Sequence, residues 1–322
     1  MSPPRSKVPP ETRDGVELTN LDKPLLDDSE QTKRELVDYL DAVSERILPV
    51  LADRPLSVIR VRPGQPPFMQ KNVPKYTPDW VQTTTVWSEA AKREVHYALC
   101  NDRRTLLWFA NQRAVEYHVT LMTVGSHHPS HLILDLDPPA GSDFDAVIAT
   151  ARLVQQALRD SGLAGAVKTS GAKGLHIFVP LADDAEFDDV AAATRALAAR
   201  AARLDPSVAT TAYLLEEREG KVFVDSTRSG GGTVAAAYSP RARPAAPVSF
   251  PLAWDALDGV RPGDFTIRTA PALLGDSDPW RENMPAAQPL PADLLAEGRE
   301  IPIARVVAMH EGKRRARAKR QE

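Results

Sequence analysis

Residues 131–137 read His131-Leu132-Ile133-Leu134-Asp135-Leu136-Asp137, and no other stretch restricts the fold of this chain more. The apolar residues form a buried strand that stops at Pro138-Pro139. Alternate residues of a strand share a face, so Asp135 and Asp137 project to one side, about 6 to 7 Å apart. Two anions so placed repel unless a cation lies between them, and oxygen ligands suit magnesium or manganese. A metal-binding carboxylate pair is one reading; an acidic cap on the following turn is the other.

The surroundings of that strand fix the fold class. A helix is predicted over 144–159, closed by Gly162, then strands over 166–170 and 175–181, an alanine-rich helix over 187–204, and strands over 221–225 and 233–238. Upstream, Thr32 and Glu35 form a capping box, and Leu36, Tyr39, Leu40, Val43, Ile47 and Val50 recur at helical spacing up to an exit at Pro55. Strands are expected over 57–62, 81–87 and 93–99, the first two separated by the proline-studded stretch 63–78, followed by a helix over 103–113 and a strand over 115–119. Residues 265–268 suggest one more strand. The fold expected is α/β (α+β).

The organisation expected is a flexible lead over 1–14 and a catalytic domain over 15–270, divided near 125, then a proline-rich segment over 271–310 and a basic tail over 311–322. No run approaches the ~20 apolar residues of a membrane span, and the start lacks the apolar core of a signal peptide, so a cytoplasmic protein is expected. The only cysteine, Cys100, excludes an internal disulfide and a cysteine-based zinc site. A net charge of −3 does not by itself suggest nucleic acid, but a groove can be basic while the sum is not.

Other residues join the acidic pair. Lys221-Val222-Phe223-Val224-Asp225 is a second apolar strand ending in a carboxylate. The segment Thr169-Ser170-Gly171-Ala172-Lys173-Gly174-Leu175-His176 sets glycines, a hydroxyl and a lysine between two strands, where backbone and cation can approach phosphate oxygens. It lacks the spacing of a Walker A loop, and a plain hairpin turn remains the alternative. His118 and His176 stand on strands, while His127, His128 and His131 lie in a loop without metal-ligand spacing. Lys23, Lys33, Arg60, Arg62, Lys71 and Lys75 are interleaved with Phe68, Tyr76 and Trp80, a mixture that suits single-stranded or end-bearing nucleic acid.

The ordered set resembles the polymerase domain of bacterial DNA ligase D, a branch of the archaeo-eukaryotic primase superfamily that also occurs free-standing. The resemblance runs from about Gly15 to Leu257, through Leu18-Thr19-Asn20-Leu21-Asp22-Lys23, Phe68-Met69-Gln70-Lys71, Glu116-Tyr117-His118, the LDLDP and TSGAKGLHIFVPL segments, KVFVD, Ala237-Tyr238-Ser239-Pro240-Arg241-Ala242-Arg243 and Pro251-Leu252-Ala253-Trp254. It implies a primase-polymerase fold, with a central mixed, largely antiparallel sheet flanked by helices. Asp135, Asp137 and Asp225 would then be catalytic and hold two Mn2+ or Mg2+ ions. His118, Ser170, Gly171, Lys173, His176 and Arg241 would hold the nucleoside triphosphate, a ribonucleotide by preference. Asn20, Lys23, Lys33, Arg60, Phe68, Met69 and Lys71 would meet DNA, with Lys23 and Lys33 at a 5′-phosphate.

Two departures stand out: Met69 replaces the second of two aromatics, and Ser226 replaces the aromatic that commonly follows the third Asp. No ligase motif Lys-x-Asp-Gly is found, so a free-standing polymerase is expected. The activity implied is template-directed addition of nucleotides to a 3′-OH at gaps, overhangs or double-strand breaks, in end joining or gap repair, with Ku and a separate ATP-dependent DNA ligase as partners and no membrane. A primase that starts chains de novo, a non-catalytic DNA-end-binding module and an Asp-x-Asp phosphatase are the alternatives.

Overall fold

The computed structural model describes residues 11–303 apart from 28, 89–91 and 183; the basic tail and the first ten residues of the expected lead lie outside the described residues. The first part of the chain gives β1 (Glu11–Arg13), β2 (Val16–Leu18), α1 (Lys33–Ala42), α2 (Ser44–Leu51), β3 (Leu56–Arg62), β4 (Gln65–Gln70), β5 (Thr83–Ser88), β6 (Arg93–Ala98), α3 (Arg103–Asn111) and β7 (Ala114–Val119). The second gives β8 (His131–Asp137), α4 (Phe144–Asp160), β9 (Ala166–Thr169), β10 (Leu175–Pro180), α5 (Phe187–Leu204), β11 (Ala209–Thr210), β12 (Val222–Asp225), β13 (Val234–Ala235) and β14 (Pro251–Leu252). Three short helices follow: α6 (Ala270–Leu274), α7 (Pro279–Asn283) and α8 (Ala292–Glu300).

Among the described residues the strands form two large sheets and the β1–β2 hairpin. One sheet has the order β11-β12-β8-β10-β9-β14, with β8 central and paired antiparallel to β10 and β12. The other has the order β13-β7-β3-β6-β5, with β4 added to β3. Every pairing is antiparallel except β11 with β12, which meets the expectation of a mixed, largely antiparallel sheet.

Local chemistry explains most elements. At the start of α1, Thr32 Oγ1 accepts from the Glu35 amide while the Glu35 carboxylate accepts from the Thr32 amide at 2.7 Å, the reciprocal box read from the sequence. The periodic run beyond it is broken at Val43, which closes α1 and opens α2, so one expected helix becomes two. The alternation in β8 buries Leu132, Leu134 and Leu136 completely and turns the two aspartates to the opposite side of the pleat. Helices α4 and α5 pack against this sheet, α4 burying Val147, Ala151, Val154 and Leu158.

Three departures have physical causes. The proline-studded stretch contains a strand, β4, because its prolines sit on a strand hydrogen-bonded to β3 alone, where a missing N–H breaks no ladder on the open side. Residues 265–268 make no strand: Phe265 stacks on Phe250 with ring centres 4.2 Å apart, and Thr266 forms a single bridge to Pro247. Beyond Ala270 the chain is ordered by burial of Leu274 and Leu294, and α8 docks on α5 so closely that a methyl on Gly298 would lie 1.9 Å from the Ala192 carbonyl oxygen.

Candidate active site

A cleft of about 350 Å³ opens between the two sheets, with the aspartates of β8 and β12 on one wall and β7, β13 and the Arg241 loop on the other. Of the residues singled out in the sequence, it is lined by Asp135, Asp137, Asp225, Ser170, Lys173, His176, His118, Arg241 and Met69.

The acidic wall is set by strand register. Asp225 stands directly across from Asp135, and His176 stands across from Asp135 on the other side. Directly opposite residues of neighbouring strands share a face, so Asp225, Asp135 and His176 form one rung. Burial alone would raise the Asp135 carboxyl, but His176 and Arg228 bring it down to about 2. Burial pushes the Asp225 carboxyl upward, reinforced by Asp135 and opposed by the Thr227 amide, which donates to Asp225 at 2.7 Å. Two carboxylates on one buried rung repel each other and favour positive charge beside them.

Two arginines supply part of it. Arg228 lies 3.4 Å from Asp135, and Arg218 lies 3.1 Å from Asp137 while its guanidinium stacks over Phe223 at 4.1 Å. Neither was singled out in the sequence, where each reads as one charge in a polar turn. The turn holding Arg228 is pinned by Ser229, whose buried hydroxyl accepts from the Ile133 amide at 3.0 Å and donates to the Ile133 carbonyl at 3.2 Å. No group of three His, Cys, Asp or Glu side chains among the described residues is gathered closely enough to coordinate a metal ion as it stands. The donor set nonetheless suits a hard divalent cation: three carboxylates from two adjacent strands, two of them already engaged by cationic groups.

The loop between β9 and β10 is a tight cradle. Ser170 Oγ accepts from the amides of Ala172 and Gly174, each at 3.1 Å, and Arg241 donates to the Ser170 carbonyl at 2.6 Å. Gly171 has φ +68°, and a side chain there would strike Arg241 Cγ at 2.6 Å. Gly174 is more constrained still, since a methyl would lie 1.8 Å from the Leu136 carbonyl oxygen. Lys173 is exposed at the cleft.

Opposite the acids, Glu116 organises the basic wall. Its carboxylate is 2.8 Å from His118 Nε2, forms an ion pair with Arg241 Nε at 2.9 Å, and accepts from the Ala242 amide at 2.9 Å. Burial opposes its ionisation, but His118 and Arg241 outweigh it and hold the carboxyl below its usual range. In the sequence Glu116 stands only as a neighbour of His118; that it joins two candidate ligands 123 positions apart is a tertiary fact.

The residues expected at DNA lie away from this floor, except Met69, which faces the cleft from β4. Phe68, on the other side of that strand, packs beneath Arg62 and Arg60, 4.7 and 5.8 Å from its ring centre. Lys71, Asn20 and Lys23 are exposed. Lys33 is buried; its amine donates to the Thr19 carbonyl and, at 2.7 Å, to Asn111, and burial with Arg113 nearby brings it down to about 8. Two of its three donors are therefore occupied. Arg60 is also buried, tied to Gln112, Gln70 and Tyr76 at 2.7 to 3.1 Å, so its guanidinium is committed to the protein. Cys100 is buried and burial raises its thiol, as expected of a core residue.

Residues 32–280 match the family model described as LigD, primase-polymerase domain. The chain belongs to that family. It is 32% identical over 259 residues to the bifunctional non-homologous end joining protein LigD of Bacillus subtilis, covering 79% of this chain and 41% of that one. It is 33% identical over 255 residues to the multifunctional non-homologous end joining DNA repair protein LigD of Mycobacterium tuberculosis, covering 76% and 33%. The chain thus spans well under half the length of these curated relatives. Among solved structures, the polymerase domain from Mycobacterium tuberculosis ligase D in complex with DNA superposes with a TM-score of 0.76 at 31% identity, over 84% of this chain and 97% of that one. The primase-polymerase fold expected from the motifs is the fold observed. No helix among the described residues is long and apolar enough to cross a membrane.

Proposed function

We propose that this LigD-family chain is a template-directed nucleotidyltransferase that adds nucleotides, ribonucleotides by preference, to a 3′-OH at DNA gaps or breaks bearing a 5′-phosphate. The observation that carries the reading is the polarity of the cleft: Asp135, Asp137 and Asp225 on one wall face His118 and Arg241 across it, and Lys173 adds a cation from the loop beside the acids. A nucleoside triphosphate and the divalent cations that accompany it need that pairing of an acidic floor with cationic donors.

The three aspartates are the residues that would hold Mn2+ or Mg2+. The chemistry such ions supply is Lewis-acid activation of a hydroxyl and neutralisation of charge on the leaving phosphates. The chain's own contribution is positioning. Lys173 and Arg241 offset triphosphate charge, Gly171 and Gly174 let the loop backbone come close, and Ser170 holds that loop rigid through its two accepted amide bonds. His118, fixed by Glu116, meets the sugar. His176 floors the site beside Asp135.

DNA is met on the neighbouring surface, with Phe68, Met69 and Lys71 toward the template strand. Asn20, Lys23 and the third donor of Lys33 receive the 5′-phosphate, with Arg113, which acts on Lys33, adding positive charge. Arg60 acts indirectly, by holding β4 through Gln70. The biological setting is end joining or gap repair, with Ku and a separate ATP-dependent ligase completing the joint. The test is extension of a 5′-phosphorylated gapped duplex, with ribo- and deoxyribonucleotides compared in each metal. Ribonucleotide addition that depends on the 5′-phosphate is expected; a preparation that binds the duplex but extends it in neither metal overturns the assignment.

A further inference from the structure

The rung that holds the catalytic acids continues one strand further than the mechanism uses. Lys168 stands across from His176 on β9, so the order on one face of the sheet is Asp225, Asp135, His176, Lys168. Lys168 is fully buried, and lysine is seldom buried unless its amine is occupied. Its Nζ lies 2.8 Å from His176 Nδ1 and 2.5 Å from Ser249 Oγ.

The proton positions follow from counting donors. The Ser249 hydroxyl donates its one hydrogen to the Thr169 carbonyl at 2.8 Å, so its oxygen can only accept from Lys168. At the other end, His176 Nε2 lies 3.4 Å from Asp135 Oδ1, where a lone pair would face a carboxylate. An Nε2–H tautomer removes that repulsion and leaves Nδ1 as an acceptor for Lys168. The count holds whether the amine carries two hydrogens or three. The opposite tautomer would set lone pair against carboxylate at Nε2, and it would be excluded altogether at Nδ1 by an ammonium, which cannot accept.

We propose that Lys168 is a positioning residue that fixes His176 as an Nε2–H donor aimed at Asp135 and the floor of the nucleotide site. The part that concerns the nucleotide rests on the function proposed above; the tautomer does not. Ser249 holds Lys168 in turn, so the chain Thr169, Ser249, Lys168, His176, Asp135 runs from the backbone of the phosphate loop to the central carboxylate.

The test is 15N NMR of histidine-labelled protein at pH 7.5, with His176 assigned as the resonance lost in His176→Gln. The wild type should show a protonated Nε2 and an unprotonated, hydrogen-bonded Nδ1. In Asp135→Asn, whose side-chain amide can face Nε2 as donor or acceptor, Lys168 alone should keep the Nε2–H form, and in Asp135→Asn/Lys168→Met both tautomers should be populated. In Lys168→Met, of similar volume and without a donor, the dissociation constant for a ribonucleoside triphosphate should rise about tenfold with DNA binding unchanged. A protonated Nδ1 in the wild type, or a pure Nε2–H form in Asp135→Asn both with and without Lys168→Met, overturns the proposal. Should Lys168→Met fail to fold, Lys168→Gln serves in the same Asp135→Asn background, because its amide can donate or accept; mixed tautomers there support the proposal and a pure Nε2–H form overturns it. A changed tautomer with unchanged nucleotide affinity supports the positioning role and instead removes His176 from the nucleotide site.

Discussion

Gly174→Ala is the smallest change that should uncouple the phosphate loop from the acidic strand. Its methyl would lie 1.8 Å from the Leu136 carbonyl oxygen and 3.4 Å from Pro138 Cδ, and the first of these is a backbone atom between Asp135 and Asp137 that no rotamer change can move. Reaching even a 3.0 Å contact needs a separation of about 1.2 Å between the loop and β8. The adjoining pair Leu175 and Leu136 must strain or part. Overpacking of this kind costs about 1–3 kcal/mol, and a rigid backbone contact belongs at the upper end. A misplacement near 1 Å costs on the order of 100-fold in rate. The assay is urea unfolding alongside primer extension on a gapped duplex. Gly298→Ala provides the contrast, since its methyl would lie 1.9 Å from the Ala192 carbonyl but in the α5–α8 contact. It should lower stability with little change in extension per folded molecule. A Gly174→Ala protein with wild-type stability and rate would refute the steric argument and the assignment of the loop to the nucleotide.

Other expectations are as direct. Asp135→Ala should abolish primer extension while leaving DNA affinity nearly intact, as band-shift and extension assays on one preparation would show; retained extension would remove Asp135 from the reaction. Glu116→Gln should raise the nucleotide KM about tenfold with a smaller change in kcat, because His118 and Arg241 lose their common anchor. Arg218→Gln should tighten Mn2+ binding several-fold in a metal titration, since Asp137 is released from its ion pair. His131 gives a pH signature: burial, with Arg54 nearby, pushes its imidazole down to about 3. The unfolded chain takes up that proton near pH 6.5, so the contribution is complete above that pH and declines as pH falls toward 3, at about 1.4 kcal/mol per pH unit. The slope of urea midpoints between pH 7 and 5 should be smaller in His131→Phe, and equal slopes would contradict the neutral imidazole in the folded state.

Legibility in the sequence tracked the range of the interaction responsible. The capping box at Thr32, the 187–204 helix and the β8 alternation are local, and each appeared where its residues predicted. Asp135 and Asp225 were each visible as a strand-end acid, but nothing in the spacing said that they would be directly opposite; β-strand register is a pairing between distant segments. The strand β4 was missed because periodicity cannot see a neighbouring sheet edge, and the break at Val43 because the apolar spacing runs straight through it. Arg218, Arg228, Lys168 and Glu116 were missed for one reason: each is ordinary in its own segment and acquires its role from a partner at least eight positions away.

The placement of Asp135 against Asp225 has a consequence for how such a site survives divergence. Their separation is measured by the hydrogen-bond ladder between β8 and β12, a ruler made of main chain and indifferent to which apolar residues fill the layer beneath. Core side chains are free to drift, and 31% identity with the mycobacterial polymerase domain accompanies a shared fold. What cannot drift is phase: one residue inserted before Asp225 would send that carboxylate through the sheet to the α4–α5 side, and no compensating substitution in the core could bring it back.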